Sequence, residues 1–284
     1  MSDQKKNGSP EAPIGVFDSG LGGLTVVREL AAAMPGENIV YLGDSARVPY
    51  GIRSLETVRQ FALDDVAFLL RFSPKMIVVA CNTASAAAIE VLEETCPVPV
   101  VDVIRPSAAA ALRKTDGPVG VIATEATVTS GAYQRAITAI DPTREVVAQS
   151  CPLLVPIVEE GRSEDDPIVL HVLGDYLRQL QRRRPGALIL GCTHYPLLRE
   201  AIAKLMGPEV PLVESGRSVA EEVQRCLRAA GTENRRTDGG LLRCFTTDNP
   251  GRFARLSERF GGRKIDDVTC VGTDELKGPP AVGR

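Results

Sequence analysis

Short, continuously apolar runs alternate with amphipathic helical windows along most of this chain, and this alternation restricts the fold more than any other feature of the sequence. Residues 76–80 (MIVVA) and 188–190 (LIL) carry no polar side chain, which is typical of strands that are covered on both faces. Between such runs, windows such as 55–69 repeat apolar residues at helical spacing. The pattern predicts βαβ units, an α/β fold and mostly parallel sheets.

Eight strands are predicted from these runs. They are Ile14–Phe17, Ile39–Leu42, Met76–Ala80, Val98–Val103, Val119–Ala123, Glu145–Gln149, Ala187–Leu190 and Val210–Val213. In open α/β sheets, ligands gather at the carboxyl ends of the strands, so the residues that follow these strands are the first candidates for a site.

The composition is that of a globular protein and argues against some partners. With 284 residues, 44% of them hydrophobic, the chain can form two modest α/β domains or one large one. Aromatic residues make up 4%, Trp is absent and the formal net charge is −3. Neither an aromatic stacking platform nor a basic surface for nucleic acid is therefore expected.

The N-terminal residues 1–12 are polar and contain Gly and Pro, which predicts a disordered leader. They lack the apolar core of a signal peptide, and no apolar stretch of the sequence approaches the length of a membrane span. We therefore expect a cytoplasmic protein with no membrane partner.

Seven cysteines occur at irregular spacings and form no CxxC pair. A disulfide framework is therefore not expected. A structural zinc site is not expected either, because it requires four closely organised ligands. We predict no metal.

Two of the cysteines follow apolar runs in similar contexts. Residues 77–85 read IVVACNTAS and deliver Cys81, and residues 188–198 read LILGCTHYPLL and deliver Cys192. The two stretches form a weak internal repeat, separated by about one domain length. Two similar half-proteins that face each other across a cleft would bring these thiols together.

The simplest interpretation of a single cysteine is that it is a small, buried hydrophobic residue with a structural role. Position favours a functional role here, because Asn82 and Thr83 are candidate N-caps of a following helix, whose dipole would lower the pKa of Cys81. Cys192 has a similar setting, since Pro196 suits a first helical turn. His194 is either a proton relay for Cys192 or a hydrogen-bonding residue, whereas His171 lies in a helical window and is expected to be structural or at the surface.

Other strand ends add polar groups. Asp18 follows the first strand, and the glycines after it fit neither a dinucleotide fingerprint nor a phosphate-binding loop with its lysine. Asp44 and the turn at 49–51 follow the second strand, and a hydroxyl-rich segment at 124–130 follows the fifth. Hydroxyls and helix N-termini suit a small carboxylate-bearing ligand, and two thiols suit proton transfer or nucleophilic attack.

Five motifs, in this order, resemble those of the glutamate racemases in the aspartate/glutamate racemase superfamily. They are DSGLGGLTV, GDSARVPYG, ACNTASA, ATEATVTSGAY and LGCTHYPLL. The resemblance runs from about residue 14 to 215, with weaker similarity through the C-terminal part. It implies two similar, pseudo-symmetric α/β domains with the active site in the cleft between them.

The resemblance also implies an activity: cofactor-independent interconversion of L- and D-glutamate, which supplies D-glutamate for peptidoglycan. Cys81 would remove the α-proton of the D-enantiomer with the help of Asp18, and Cys192 that of the L-enantiomer with the help of His194. The positions that match the family's substrate-binding residues are Ser19, Pro49, Tyr50, Gly51, Asn82, Thr83, Thr124, Thr127 and Thr193. Asp44 and Glu159 match further acidic positions, and family members are often homodimers.

The domain organisation that the resemblance implies has four parts. Residues 1–12 are the leader, residues 13–104 with 216–271 form the first domain, residues 105–215 form the second, and residues 272–284 form a tail. The sequence departs from the family where Arg105 and Ser107 replace common Glu and Gly residues, and where Ser45 replaces a common Thr. The first of these departures predicts an altered detail of the cleft.

Three alternatives stay open on the sequence alone. A hydrolase could use Cys192 and His194 as nucleophile and base, but it would give Cys81 no role. A non-catalytic amino-acid binding protein would not need the pair of thiols. A racemase of broader substrate range differs from a glutamate racemase in pocket size, which the sequence does not give.

Overall fold

Two parallel β-sheets with flanking helices make up the computed structural model, which describes residues 8–277. The strands are β1 (Ile14–Asp18), β2 (Ile39–Gly43), β3 (Met76–Val79), β4 (Val100–Asp102), β5 (Val119–Ala123), β6 (Val146–Ser150), β7 (Ala187–Gly191), β8 (Leu212–Glu214), β9 (Leu242–Thr246) and β10 (Val268–Cys270). Every pairing between them in the described residues is parallel, as the apolar runs predict.

Helices connect the strands. They are α1 (Leu24–Ala33), α2 (Leu55–Leu70), α3 (Asn82–Thr95), α4 (Ile104–Leu112), α5 (Glu125–Thr129), α6 (Ala132–Ile140), α7 (Leu154–Glu159), α8 (Pro167–Arg183), α9 (Arg199–Met206), α10 (Ser215–Ala230), α11 (Pro250–Gly261) and α12 (Thr273–Leu276). Short 3₁₀ turns lie at Tyr50–Ile52 and Tyr195–Leu198. Among residues 8–277, no helix combines the length and the apolar character needed to cross a bilayer.

The second sheet repeats the strand order of the first. Its order is β6-β5-β7-β8, and the first sheet contains β2-β1-β3-β4 in the corresponding positions. Cys81 and Cys192 follow the equivalent strands β3 and β7, so the internal repeat seen in the sequence is present in the fold. The first sheet is larger by β9 and β10, which extend it beyond β2.

The eight predicted strands are confirmed, with ends that differ by a few residues. The sequence analysis did not predict β9 and β10. These strands lie at the outer side of the first sheet, where β10 has only three residues and exposes two of them. Strands of the first sheet fall within 14–102 and 242–270 and those of the second within 119–214.

One hydrophobic core runs through both halves. The cluster contains Val16 of β1 and Val78 of β3 together with Val121 of β5 and Ile189 of β7. Helices α1 and α10 pack against each other within it. The alternate residues of the first sheet, such as Phe17, face a second cluster that α2 and α3 cover.

Most described residues of the predicted leader and tail are exposed, and individual contacts tie each of these segments to the rest of the chain. Lys75 donates hydrogen bonds from Nζ to Pro10 O at 2.7 Å and to Thr232 O at 2.8 Å, and it forms a buried ion pair with Glu37 at 2.5 Å. The bond to Pro10 ties the turn at residues 9–12, which the Ala12 N–H closes on Ser9 O at 2.9 Å, to Lys75, directly before β3 of the first sheet. In the tail, Leu276 is fully buried. Residues 1–7 and 278–284 lie outside the described part of the chain.

Candidate active site

A cavity of about 370 Å³ lies between the carboxyl ends of the two sheets. Both Cys81 and Cys192 line it, and each side chain is at most 6% exposed. The other predicted site residues that line the cavity are Ser19, Pro49, Tyr50, Gly51, Asn82, Thr83, Thr124, Glu159, Thr193 and His194. The fold therefore brings together residues that lie far apart in the sequence.

Cys81 is itself the N-cap of α3, a role that the sequence analysis assigned to Asn82 or Thr83. Its Sγ accepts a hydrogen bond from the Ala84 N–H at 3.4 Å and lies 3.8 Å from Ser19 Oγ. The expectation of a lowered pKa is wrong. Burial of the thiol, together with the negative charge of Asp18, raises the pKa of Cys81 to about 12, which outweighs the effect of the helix N-terminus.

Asp18 is fully buried at the end of β1 and does not line the cavity. Its carboxylate accepts hydrogen bonds from the Gly20 N–H at 3.1 Å and from Thr193 Oγ1 at 3.4 Å. Burial raises the pKa of Asp18, and the charge of His194 opposes this shift. Asp18 thus lies behind the cavity wall, where its negative charge raises the pKa of Cys81.

Cys192 begins a chain of polar contacts that ends on a helix of the other half. Its Sγ lies 3.9 Å from His194 Nδ1, and His194 Nε2 lies 3.1 Å from Glu159 Oε1. Glu159 Oε2 in turn accepts a hydrogen bond from Arg252 of α11 at 3.1 Å. An imidazole held in this way keeps a fixed orientation towards the thiol.

The protonation of His194 follows from these contacts. Burial lowers the pKa of His194, but its hydrogen bonds to Cys192 and Glu159 outweigh burial and raise the pKa to about 10. The same interaction, with a contribution from Arg252, holds the pKa of Glu159 below its usual value in spite of burial. At neutral pH the pair is therefore an imidazolium and a carboxylate.

The two halves meet closely beneath the cavity. A Cβ added to Gly22 would lie 2.1 Å from Thr193 Oγ1 and 2.7 Å from the His194 ring, so the turn after β1 needs glycine there. Thr25 Oγ1 donates a hydrogen bond to Thr193 O at 3.1 Å. Gly22 thus allows the close approach of the second half.

Three hydroxyls form a mutual hydrogen-bond cluster across the cleft. Thr83 Oγ1 lies 2.9 Å from Thr124 Oγ1 and 3.2 Å from Thr127 Oγ1, and the two latter oxygens are 2.9 Å apart. Thr124 also caps α5. Thr127 is buried behind the cavity and does not line it. The cluster offers neutral hydroxyl groups from both halves to a ligand.

Asn82 presents an unpaired donor. Its Oδ1 accepts a hydrogen bond from Tyr133 Oη at 2.6 Å, which fixes the orientation of the amide. Its Nδ2 is buried and has no hydrogen-bond partner, although Asn82 lines the cavity. A buried donor of this kind costs free energy unless a ligand accepts its hydrogen bond.

Some sequence-based assignments lie outside the cavity. Asp44 points away from it and accepts hydrogen bonds from Arg47 and Thr247. The predicted change in the cleft at Arg105 and Ser107 is wrong for the cavity wall, because neither residue lines it. Arg105 is exposed and pairs with Glu93, and the buried Ser107 donates to Val103 O at 2.6 Å.

Several residues at the site were not predicted. Tyr133 is part of the quoted motif ending in SGAY, so its aromatic hydroxyl was the available signal, whereas Arg252 lies on a helix with no pattern that indicates a site. The remaining cavity-lining residues that the sequence analysis did not name are Val48, Ile52, Glu125, Pro152, Val155 and Pro156.

The arrangement suits proton transfer on a small anionic molecule. Two thiols reach one cavity from different sheets, one beside a carboxylate and the other beside an imidazolium. Within residues 8–277, no Lys or Arg side chain lines this cavity, and no group of His, Cys, Asp and Glu is arranged to hold a metal ion. Negative charge on a ligand would meet hydroxyl, amide and imidazolium donors.

Comparison with known proteins identifies the family. The model of the Asp/Glu/Hydantoin racemase family matches residues 14–223. The chain belongs to this family. Within it, the chain is 48% identical to a glutamate racemase of Thermus thermophilus over 269 residues, a match that spans 94% of this chain and 99% of that relative.

Solved structures of racemases in the family share the fold. A glutamate racemase isoform from Bacillus anthracis superimposes with a TM-score of 0.89 at 40% identity and covers 94% of this chain and 98% of its own. The glutamate racemase of Francisella tularensis in complex with D-glutamate has a TM-score of 0.87 at 38% identity, with 93% and 99% of the two chains covered. The two-sheet arrangement is therefore that of the family's glutamate racemases.

Proposed function

We propose that this chain is a glutamate racemase that inverts the α-carbon with Cys81 and Cys192 and needs no cofactor. The observation that carries the proposal is that both thiols line one cavity of about 370 Å³ from the ends of equivalent strands in two sheets. Two acid/base groups on opposite sides of a substrate account for inversion, because one removes a proton while the other delivers one.

Conversion of L-glutamate begins with Cys192 as the thiolate. The His194 imidazolium, 3.9 Å from its sulfur, attracts the negative charge of that thiolate. Cys192 Sγ takes the α-proton, and the carbon then takes the proton of the Cys81 thiol on the opposite face. Cys81 is poised to donate, since a pKa of about 12 keeps its thiol protonated at neutral pH.

Conversion of D-glutamate reverses the roles. Conversion of L-glutamate leaves Cys81 without its proton and Cys192 with one; from that state Cys81 takes the α-proton of D-glutamate, and the Cys192 thiol supplies the new one. Asp18 assists Cys81 from behind, and His194 assists Cys192. After each turnover one sulfur has gained a proton and the other has lost one, so the starting state returns when these protons exchange with neighbouring groups and solvent.

Neutral donors would hold the two carboxylates of glutamate. Asn82, Thr83 and Thr124 line the cavity, and Asn82 carries an Nδ2 group with no hydrogen-bond partner. Ser19, Thr193 and the segment Pro49–Gly51 complete the set. Substrate recognition by the related Francisella tularensis enzyme, whose structure contains D-glutamate, supports this ligand.

The biological role follows from the product. We propose that the D-glutamate serves peptidoglycan synthesis in the cytoplasm and that the enzyme works as a homodimer. A glutamate racemase of Escherichia coli, 26% identical with a TM-score of 0.73, has been solved with L-glutamate and the activator UDP-MurNAc-Ala, which connects that relative to a cell-wall precursor.

Proton NMR of L-glutamate in D₂O, without pyridoxal phosphate or metal, tests the activity. The α-proton signal should disappear while D-glutamate accumulates, and Cys81→Ser should accumulate no D-glutamate, because it lacks the thiol that delivers a proton on the opposite face. A hydrolase that uses Cys192 and His194 would tolerate Cys81→Ser. If the wild-type protein leaves glutamate unchanged but exchanges the α-proton of aspartate or another amino acid, the substrate assignment is wrong. If it exchanges the α-proton of none of these amino acids, the protein is a non-catalytic amino-acid binding protein.

A further inference from the structure

A buried charge cluster lies behind the cavity wall at Tyr50. Arg47 donates hydrogen bonds from Nε to Asp44 at 2.5 Å, from one terminal nitrogen to Asp64 at 2.7 Å and from the other to Asp65 at 2.9 Å. Asp44 and Asp65 are fully buried. Three carboxyl groups therefore face one guanidinium. If all three were ionised, the cluster would contain three negative charges and only one positive charge.

The hydroxyl of Tyr50 lies between two of these carboxyl groups. Tyr50 Oη forms a short hydrogen bond with Asp44 Oδ2 and lies 3.0 Å from Asp65 Oδ2. A phenol carries one hydrogen, so it donates to only one of the two oxygens. If both carboxyls were ionised, the second oxygen–oxygen contact would contain no hydrogen at all.

We infer that Asp65 is a positioning residue whose carboxyl carries a proton and donates it to Tyr50 Oη, while Tyr50 donates to ionised Asp44. The inference rests on the proposed function, because Tyr50 lines the substrate cavity. The chain of two hydrogen bonds anchors the segment from Val48 to Gly51, which forms one wall of that cavity.

The partners of each carboxyl decide which one holds the proton. Asp44 accepts from Arg47, Tyr50 and, at 3.0 Å, Thr247, and three donors suit an anion. Asp65 has one N–H donor, from Arg47. Burial and the neighbouring charge of Asp44 raise the pKa of Asp65 well above its usual value, against the opposing effect of Arg47.

The anchored wall touches the other half of the molecule. A Cβ on Gly51 would lie 2.7 Å from Thr124 Cβ, so the position of this segment sets the width of the cavity where the halves meet. The ring of Phe61 on α2 supports it from behind, 4.3 Å from the Arg47 guanidinium and 5.3 Å from the Tyr50 ring. A loose Tyr50 would thus weaken substrate binding more than the chemical step.

Two substitutions at one position test the protonation. Asp65→Asn supplies an N–H donor in place of the O–H, so kcat and KM for glutamate should stay within about threefold of the wild type. Asp65→Leu removes the donor and should raise KM at least about tenfold with a smaller change in kcat. Asp64→Asn, the neighbouring residue that does not contact Tyr50, is the matched control and should leave KM nearly unchanged.

An infrared spectrum detects the proton on the Asp65 carboxyl group independently of enzyme activity. Wild-type protein at neutral pH should show a carboxylic-acid C=O band that is absent in Asp65→Asn and present in Asp64→Asn. The inference is overturned if Asp65→Asn loses substrate affinity as Asp65→Leu does, or if the band survives in Asp65→Asn. If Asp65→Leu does not fold, Tyr50→Phe replaces it as the test, because it removes the hydroxyl of Tyr50 and should also raise KM. An inactive wild-type protein would contradict the proposed function, but the infrared spectra would still test whether Asp65 is protonated.

Discussion

At the scale of single residues, the two thiols share one cavity but differ in their electrostatic surroundings. Cys81 faces the negative charge of Asp18, which together with burial raises its pKa to about 12, whereas Cys192 faces the imidazolium of His194. The site is therefore asymmetric, although the sheets that carry the thiols repeat each other. This asymmetry places a negative charge near one sulfur and a positive charge near the other.

Removal of either thiol should abolish turnover. Cys81→Ala and Cys192→Ala should each lower kcat by at least about 10²- to 10⁴-fold, because each variant lacks a proton donor or acceptor. Racemisation of both enantiomers, followed by circular dichroism, measures the loss. Cys244→Ala is the matched control, since this buried thiol also has a pKa raised to about 12 but lies outside the cavity. A comparable loss in folded Cys244→Ala would refute the assignment.

Protonation of His194 should appear in the pH dependence of stability. Its folded-state pKa of about 10 exceeds the ordinary value of 6.5, so its stabilising contribution is complete below 6.5 and is lost as the pH rises towards 10. The free energy of unfolding should fall by up to about 1.4 kcal/mol per pH unit within this range. Urea titrations between the ordinary pKa values of His, 6.5, and Cys, 9.0, measure it.

His194→Gln is the comparison for that slope. The variant has no titrating side chain at this position and should show a flatter dependence than the wild type over the same pH range. Glu159→Gln should also flatten it, because the substitution removes a charge that raises the pKa of His194. Identical slopes in all three proteins would mean that His194 is neutral in the folded state.

At the scale of elements, the interior strands and their ends could be predicted, but the edges and the helix-borne partners could not. Strands such as β3 and β7 are continuously apolar, and their cysteines follow within two residues of the strand end. In contrast, β9 includes the exposed Arg243 and lacks the apolar run of an interior strand. Asp65 and Arg252 reach the site only through packing of their helices, which no local pattern encodes.

Contact between elements across the cleft gives a test of the wall at Gly51. Gly51→Ala would place a Cβ 2.7 Å from Thr124 Cβ and 2.8 Å from its Cγ2, so the wall or α5 must shift. We expect KM for glutamate to rise about tenfold or more, since misplacement of about 1 Å is costly at a reactive site. Steady-state kinetics in both directions measures it.

The matched control is the same substitution in open space. Gly174 lies inside α8, and an added Cβ there meets no atom within 4 Å. Gly174→Ala should leave the kinetics unchanged and raise the free energy of unfolding by about 0.5–1 kcal/mol through helix propensity. If Gly51→Ala leaves the kinetics unchanged as Gly174→Ala does, the wall at Gly51 can accept a Cβ next to Thr124, and this prediction is wrong.

At the scale of the whole molecule, the repeated strand order suggests two units, but the core joins them. Val16 in the first sheet and Ile189 in the second belong to one apolar cluster, and α1 and α10 pack together inside it. A cleft between halves that share a core can hold the two thiols at a fixed separation. The shared core therefore joins the two sheets at the boundary where the cavity lies.

The shared core predicts that the halves lose structure together. Leu177 of α8 is fully buried in the cluster, and Leu177→Ala should lower the free energy of unfolding by about 2–5 kcal/mol. In native-state hydrogen exchange, peptides of β1 should be destabilised by the same amount as peptides of β7, although Leu177 lies in the second half. Faster exchange confined to the second sheet would show that the halves unfold separately, and the thiols would then be carried by two independent units.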